Sequence, residues 1–176
     1  MIEVIVSRLG LDSSNNSYVI ILQERGGTRL LPIWIGQPEA ESIVMHMHNV
    51  KRPRPITHDL VRSLIIGMNA QLRRVQVTRM EKQTYYAELH LQQGETLARI
   101  DARPSDAIAI ALRLGAPIYA AETLLIEPGE EGDDDEGTEP EFGADEAPSA
   151  EGELSSEQLK AYLENLRPED FGKFNP

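Results

Sequence analysis

The chain has 176 residues, no cysteine, 17 Lys+Arg and 29 Asp+Glu, and a formal net charge of −12 at pH 7. The absence of cysteine excludes disulfides, thiolate metal sites and a cysteine nucleophile. No apolar run reaches the ~18 residues of a membrane span. The N-terminus opens into strand-like MIEVIV rather than a basic and then apolar leader, so a cytoplasmic protein without membrane association is expected.

The charge is uneven along the chain. Residues 1–126 carry 14 Lys+Arg and 12 Asp+Glu, whereas residues 127–176 carry 3 and 17. A nearly neutral, slightly basic body therefore bears a strongly acidic tail, and the overall acidity does not argue against nucleic-acid binding by the body.

Residues 1–8 alternate apolar and polar, the pattern of a strand with one buried face. DSSNN at 12–16 is a turn or short loop. Residues 17–24 are apolar on both faces and read as a central strand, and Gly26-Gly27 signals a hairpin. RLLPIWI at 29–35 is a third strand. Its Pro32 cannot donate to a ladder, which places it at an edge or a bulge, and Trp34 is expected in the core.

Pro38 in the sequence GQP opens a first helix with a buried stripe of Ala40, Ile43, Val44 and Met47. Pro53 and Pro55 break the chain after it. A second helix starts at Thr57-His58-Asp59 and carries a stripe of Leu60, Val61, Leu64, Ile65 and Met68. Strands are expected at 73–79, 84–91 and 96–102. In the last of these, Leu97, Arg99 and Asp101 share one face, and Ala98, Ile100 and Ala102 the other.

A third helix is expected over 105–114, capped by Ser105 and stopped by Gly115 and Pro117. It is apolar nearly all round, with only Ala109 and Arg113 left for water, so neighbours bury it on more than one side. PIYA at 117–120 suggests a last short strand. The fold class is α+β: a mixed sheet of six to seven strands with three helices, in the order βββααβββαβ.

Beyond the domain at 1–126, the acidic residues 127–153 have too little apolar surface to offset their conformational entropy and are expected to be disordered. Residues 154–176 hold a capping box at Ser155–Gln158 and apolar residues Leu159, Tyr162, Leu163 and Leu166 at helical spacing. A helix this short is marginal alone and calls for a docking partner.

LPIWIGQPEAESI (31–43), RPITHDL (54–60), YYAELHL (85–91) and DARPSDAIAIALRLGAPIY (101–119) occur in this order. Together they resemble the bifunctional nuclease domain family over about residues 1–126. The resemblance implies an α+β domain that self-associates as a homo-oligomer, a dimer or trimer, and a nuclease activity on DNA and RNA. It supplies no catalytic set. It marks Glu39, Arg54, Thr57, His58, Asp59, Asp101, Arg103, Ser105 and Asp106 as the polar positions of the motifs.

Chemistry suggests roles for these residues. Asp101 and Asp106, with Glu39, offer hard oxygen ligands for Mg²⁺ or Mn²⁺, which would activate water against a phosphodiester. Arg54 and Arg103, with the hydroxyls of Thr57 and Ser105, would hold phosphate. His58 would serve proton transfer, and Asp59 is a further candidate catalytic carboxylate that, like Glu39, would join the metal ligands. The alternative is structural: Thr57 and Ser105 cap helices, Asp59 and Asp106 complement their dipoles, and Arg103 pairs with Asp101 to lock a turn. The protein is then an oligomeric binding module for an anionic ligand or a partner protein.

His46 and His48 look like a metal pair but would diverge on a helix. Lys51, Arg52 and Arg54 form a basic loop suited to phosphate. The motifs RPITHD (54–59) and RPSD (103–106) share a grammar of arginine, proline, hydroxyl and aspartate before a helix. If the two helix N-termini converge, they build an anion site.

Overall fold

A computed structural model describes residues 1–12 and 17–128. The expectations for the 13–16 turn, most of the acidic linker and the terminal helix lie outside the described residues. The chain divides into units Met1–Pro140 and Glu141–Pro176, and the described residues all belong to the first.

The alternating segments pair as the pattern requires. Among the described residues, β1 (Ile2–Asp12), β2 (Ser17–Glu24) and β3 (Leu30–Ile35) form one antiparallel meander, and β4 (Gln71–Glu81), β5 (Thr84–Gln93) and β6 (Thr96–Ala102) a second. The short β7 (Ile118–Ala120) joins them, antiparallel to β1 and parallel to β4. The result is one seven-stranded sheet in the order β3-β2-β1-β7-β4-β5-β6. The proline-bearing β3 lies at an edge, as its sequence requires.

The helices α1 (Gln37–Met47), α2 (Thr57–Gly67) and α3 (Pro104–Leu114) complete the domain. The core holds Ile20, Leu22, Leu31, Ile33, Val75 and Val77 from the strands, and Ile43 and Ile108 from the helices. Helix α3 contacts both other helices as well as β4 and β5, which explains its apolar circumference. Its C-terminus closes on Gly115 at φ 64°, where Ala116 N–H bonds the Ala111 carbonyl.

Several expectations are corrected. Trp34 is 54% exposed, because it falls on the sheet face opposite the core, beside Val19. Ala109 and Arg113 are buried rather than facing water, because α3 is enclosed by α1 and α2. On α2 the buried residues are His58 and Ile65, while Leu60, Leu64 and Met68 stay exposed. That helix is turned so that its polar first turn, and not only its apolar stripe, meets α3.

The expected caps also move. Ile56 is the N-cap of α2 and Arg103 that of α3, which puts Thr57 and Pro104 at the first helical positions. Asp59 Oδ2 accepts the Ile56 backbone N–H at 3.1 Å, so the third helical residue caps α2 in place of Thr57. Ser105 is 6% exposed and inside the first turn of α3.

Candidate functional site

The first turns of α2 and α3 meet. His58 Nε2 lies 3.1 Å from Asp106 Oδ1. Arg103, at the end of β6, folds back as a fork on Asp106, with Nε to Oδ2 at 2.7 Å and Nη2 to Oδ1 at 3.1 Å. The same Nη2 reaches Glu39 Oε1 in the first turn of α1 at 2.6 Å. Helix N-termini favour negative charge, and here those of α1 and α3 bring up Glu39 and Asp106, which a single guanidinium ties together.

The chain of contacts continues inward. His58 Nδ1 lies 2.8 Å from Ser42 Oγ, and Ser42 is 3% exposed. Arg113 Nη2 donates to both Ser42 Oγ and the Ser42 carbonyl at 3.0 Å. Its Nε donates to Asp59 Oδ1 at 2.6 Å and its Nη1 to the Ala109 carbonyl at 3.0 Å. Arginine has only donors, so Ser42 Oγ accepts from it and gives its own proton to His58 Nδ1. Asp106, held as a carboxylate, only accepts, so the His58 Nε2 proton is aimed at it.

Burial works against a charged Asp106, but hydrogen bonds from Arg103 and His58 outweigh it and hold its carboxyl below the ordinary value. The hydrogen bond from Arg113 does the same for Asp59, helped by the Ile56 N–H. Hydrogen bonds to Asp106 and Glu39 keep Arg103 firmly charged.

This network borders a cavity of about 350 Å³ lined by Glu39, Ser42, Arg52, Thr57, His58, Arg103 and Asp106. A second cavity of about 240 Å³ shares Met45, Arg52 and Ile56 with it, adds His46, Asn49 and Lys51, and reaches the Asp59–Arg113 pair. The two cavities adjoin at these shared residues, beside the basic loop.

Of the residues singled out from sequence, Glu39, Thr57, His58, Arg103 and Asp106 come together here. Asp59 sits behind them on Arg113. Arg54 is exposed and lines neither cavity, and the buried Ser105 lines neither. Asp101 pairs in register with Glu88 on the sheet face away from Ala87 and Leu89 of the core, in the field of Arg79. The expected Asp101–Asp106 carboxylate pair and the Arg103–Asp101 lock therefore do not form, because β6 alternates and turns Asp101 outward.

As arranged, the carboxylates do not make a cation site: Arg103 already bridges Glu39 and Asp106. Among the described residues no three His, Asp or Glu side chains group for a metal ion. His46 and His48 belong to no such group.

Two central residues were not picked out from sequence. Ser42 falls beside the apolar stripe of α1, with nothing local to mark it. Arg113 carried a signal in hindsight, as the one cation in a helix otherwise apolar nearly all round.

The bifunctional nuclease domain model matches residues 20–132. The chain belongs to the bifunctional nuclease domain family. An uncharacterized protein of Mycobacterium tuberculosis is 38% identical over 169 residues, 96% of this chain and 97% of that protein. Bifunctional nuclease 1 of Oryza sativa is 32% identical over 122 residues, covering 67% of this chain and 37% of the plant protein. Bifunctional nuclease 2 of Arabidopsis thaliana is 32% identical over 117 residues, covering 65% and 36%. The bifunctional nuclease domain match contains the whole His58–Asp106–Arg103–Glu39 chain. In the described residues no helix is long and apolar enough to cross a membrane.

Proposed function

We propose that this chain is a nuclease of low sequence specificity, cleaving phosphodiester bonds of RNA or DNA in the groove above His58 and Asp106. The observation that carries the reading is the convergence of three helix N-termini on one open cavity holding an Asp–His pair and two arginines. Arg103 and Arg52 hold the phosphate, with the Thr57 hydroxyl as a further donor. A carboxylate oxygen of Asp106, which His58 and Arg103 hold in place, accepts the proton of the attacking water, and the leaving oxygen takes its proton from solvent. The arginine and threonine donors meet phosphate oxygens, which carry no sequence information, and that supports indifference to sequence. No step in this mechanism passes through a metal ion, and the test includes metal.

A second reading has its own support. Both His58 nitrogens and both Asp106 oxygens already have partners in the protein. The network would then lock three helices together, and the groove would bind an anionic ligand without chemistry.

One experiment separates the two. Purified protein is assayed on single-stranded RNA and DNA with Mg²⁺, Mn²⁺ or EDTA, beside His58→Ala and Asp106→Asn. The nuclease reading expects cleavage that both substitutions abolish. Cleavage surviving in both would mark a contaminant, and oligonucleotide binding without cleavage would favour the second reading. Cleavage that EDTA abolishes would show a metal requirement that the carboxylates, as arranged, do not meet.

A further inference from the structure

The two adjoining cavities differ in charge. The cavity beside His58 is lined by three carboxylates, Glu39, Glu41 and Asp106, against two guanidiniums, Arg52 and Arg103. Arg103 is already held there by Glu39 and Asp106. The second cavity, of about 240 Å³, has the opposite balance, with Lys51, Arg52 and Arg113 against Asp59 alone. Arg113 neutralises Asp59 at 2.6 Å, so the charges of Lys51 and Arg52 are left uncompensated in that lining.

The donors of the second cavity are also unspent. Among the described residues the Lys51 side chain makes no hydrogen bond or ion pair. Arg52 donates only Nε, to the Met45 thioether at 3.0 Å, a weak acceptor that leaves both Nη groups for a ligand. The backbone fixes where the pair stands. Asn49 turns the chain at φ 53°, and Val50 N–H bonds the Met45 carbonyl at 2.8 Å, so the basic loop leaves α1 directly against the cavity it lines.

We propose that the second cavity seats the phosphate next to the scissile one, and that this neighbour anchors the strand. The sign of each lining gives the reason. A phosphate beside His58 meets a net negative wall, whereas one beside Lys51 meets two unpaired cations. Met45, Arg52 and Ile56 belong to both cavities and set the two places side by side, as consecutive phosphates of one strand require. Binding energy gained at the neighbour then carries the reacting bond into the His58 cavity, where a lone phosphate binds poorly. The substrate class that follows is a chain of at least two consecutive phosphodiesters. A dinucleotide offers one phosphate, which settles on Lys51 and away from Asp106. This deepens the nuclease reading and rests on it for cleavage, while phosphate binding at Lys51 is read independently.

The full-length chain, labelled with ¹⁵N, is titrated with inorganic phosphate. Its cleavage of thymidine oligonucleotides with one, two or three phosphodiesters is followed in parallel. Saturable amide shifts are expected, larger at residues 49–52 than at 103–106. Lys51→Ala, at an exposed loop position, should weaken phosphate binding by roughly fivefold or more. Cleavage per bond should rise roughly tenfold or more from one phosphodiester to two, and little from two to three. Lys51→Ala should erase that rise. Shifts centred on 103–106, no saturable shifts, equal cleavage of the one- and two-phosphodiester probes, or a rise that survives Lys51→Ala would each overturn the proposal. Shifts at 49–52 without cleavage of any probe would support the phosphate seat and overturn the nuclease reading. Equal cleavage of all probes without those shifts would do the reverse.

Discussion

His58 Nε2 lies 3.1 Å from Asp106 Oδ1, a bond that closes 48 residues of chain and joins the first turn of α2 to the first turn of α3. Ser42 and Arg113 hold its inner side, and Arg103 and Glu39 its outer side.

Asp106→Asn keeps the shape of the side chain and removes its charge. Cleavage under single-turnover conditions should fall by roughly 10²–10⁴-fold, the range of a lost acid–base group. The fold should survive, because the amide oxygen still accepts the His58 proton. A folded variant that cleaves at the wild-type rate would refute the assigned role.

Arg103 acts as a planar fork between two carboxylates, so lysine should not replace it. Arg103→Lys and Arg103→Ala should both weaken oligonucleotide binding in anisotropy titrations. The alanine variant should also flatten the dependence of log K on log salt by about one phosphate contact, a slope change near 0.7–0.9. Equal slopes for wild type and Arg103→Ala would place the phosphate elsewhere.

Acid should unfold the domain through Asp59 and Asp106. Both carboxyls titrate below their ordinary value of 3.8 in the folded chain. Around and below that value the unfolded chain therefore binds more protons than the folded one. Their contribution to stability is complete above the ordinary value, and it disappears as pH falls through the folded values. Urea midpoints measured from about pH 6 down to pH 3 should fall steeply at the acid end, and less steeply in Asp59→Asn.

Arg113 has a side chain only 3% exposed, against 40% for its partner Asp59. Arg113→Leu removes four hydrogen bonds and leaves the Asp59 carboxylate and the buried Ser42 Oγ without their cationic donor, and it should cost on the order of 3 kcal/mol by chemical denaturation. Asp59→Ala should cost less, about 1–2 kcal/mol, because solvent partly screens that carboxylate. The double variant should lose less than the sum of the two, and strict additivity would argue that the pair does not couple.

Residues 127–176 carry 17 Asp+Glu against 3 Lys+Arg, and we propose that this charge lowers the affinity of the chain for nucleic acid. A chain ending at Pro128 should bind oligonucleotide more tightly at low salt, with the difference shrinking as salt rises. Unchanged affinity would leave the tail as a solubilising segment.

Much of this domain was legible in the chain. Alternation marked the strands, prolines and glycines marked their ends, and Pro32 marked an edge, because these are local consequences of backbone geometry. Arg103, Asp106 and His58 stood out because charged residues at helix starts are placed by local rules as well as by function. The sequence by itself could not pair Asp106 with His58 in preference to Asp101, since strand alternation and sheet register together decide which way each points. Nor could it show that β7, the shortest strand, joins the two meanders, or that Arg113 is buried on Ser42 and Asp59. Those contacts link residues 48 to 71 positions apart. They exist only because α3 packs between α1 and α2, a free-energy balance over the whole core that no local pattern encodes.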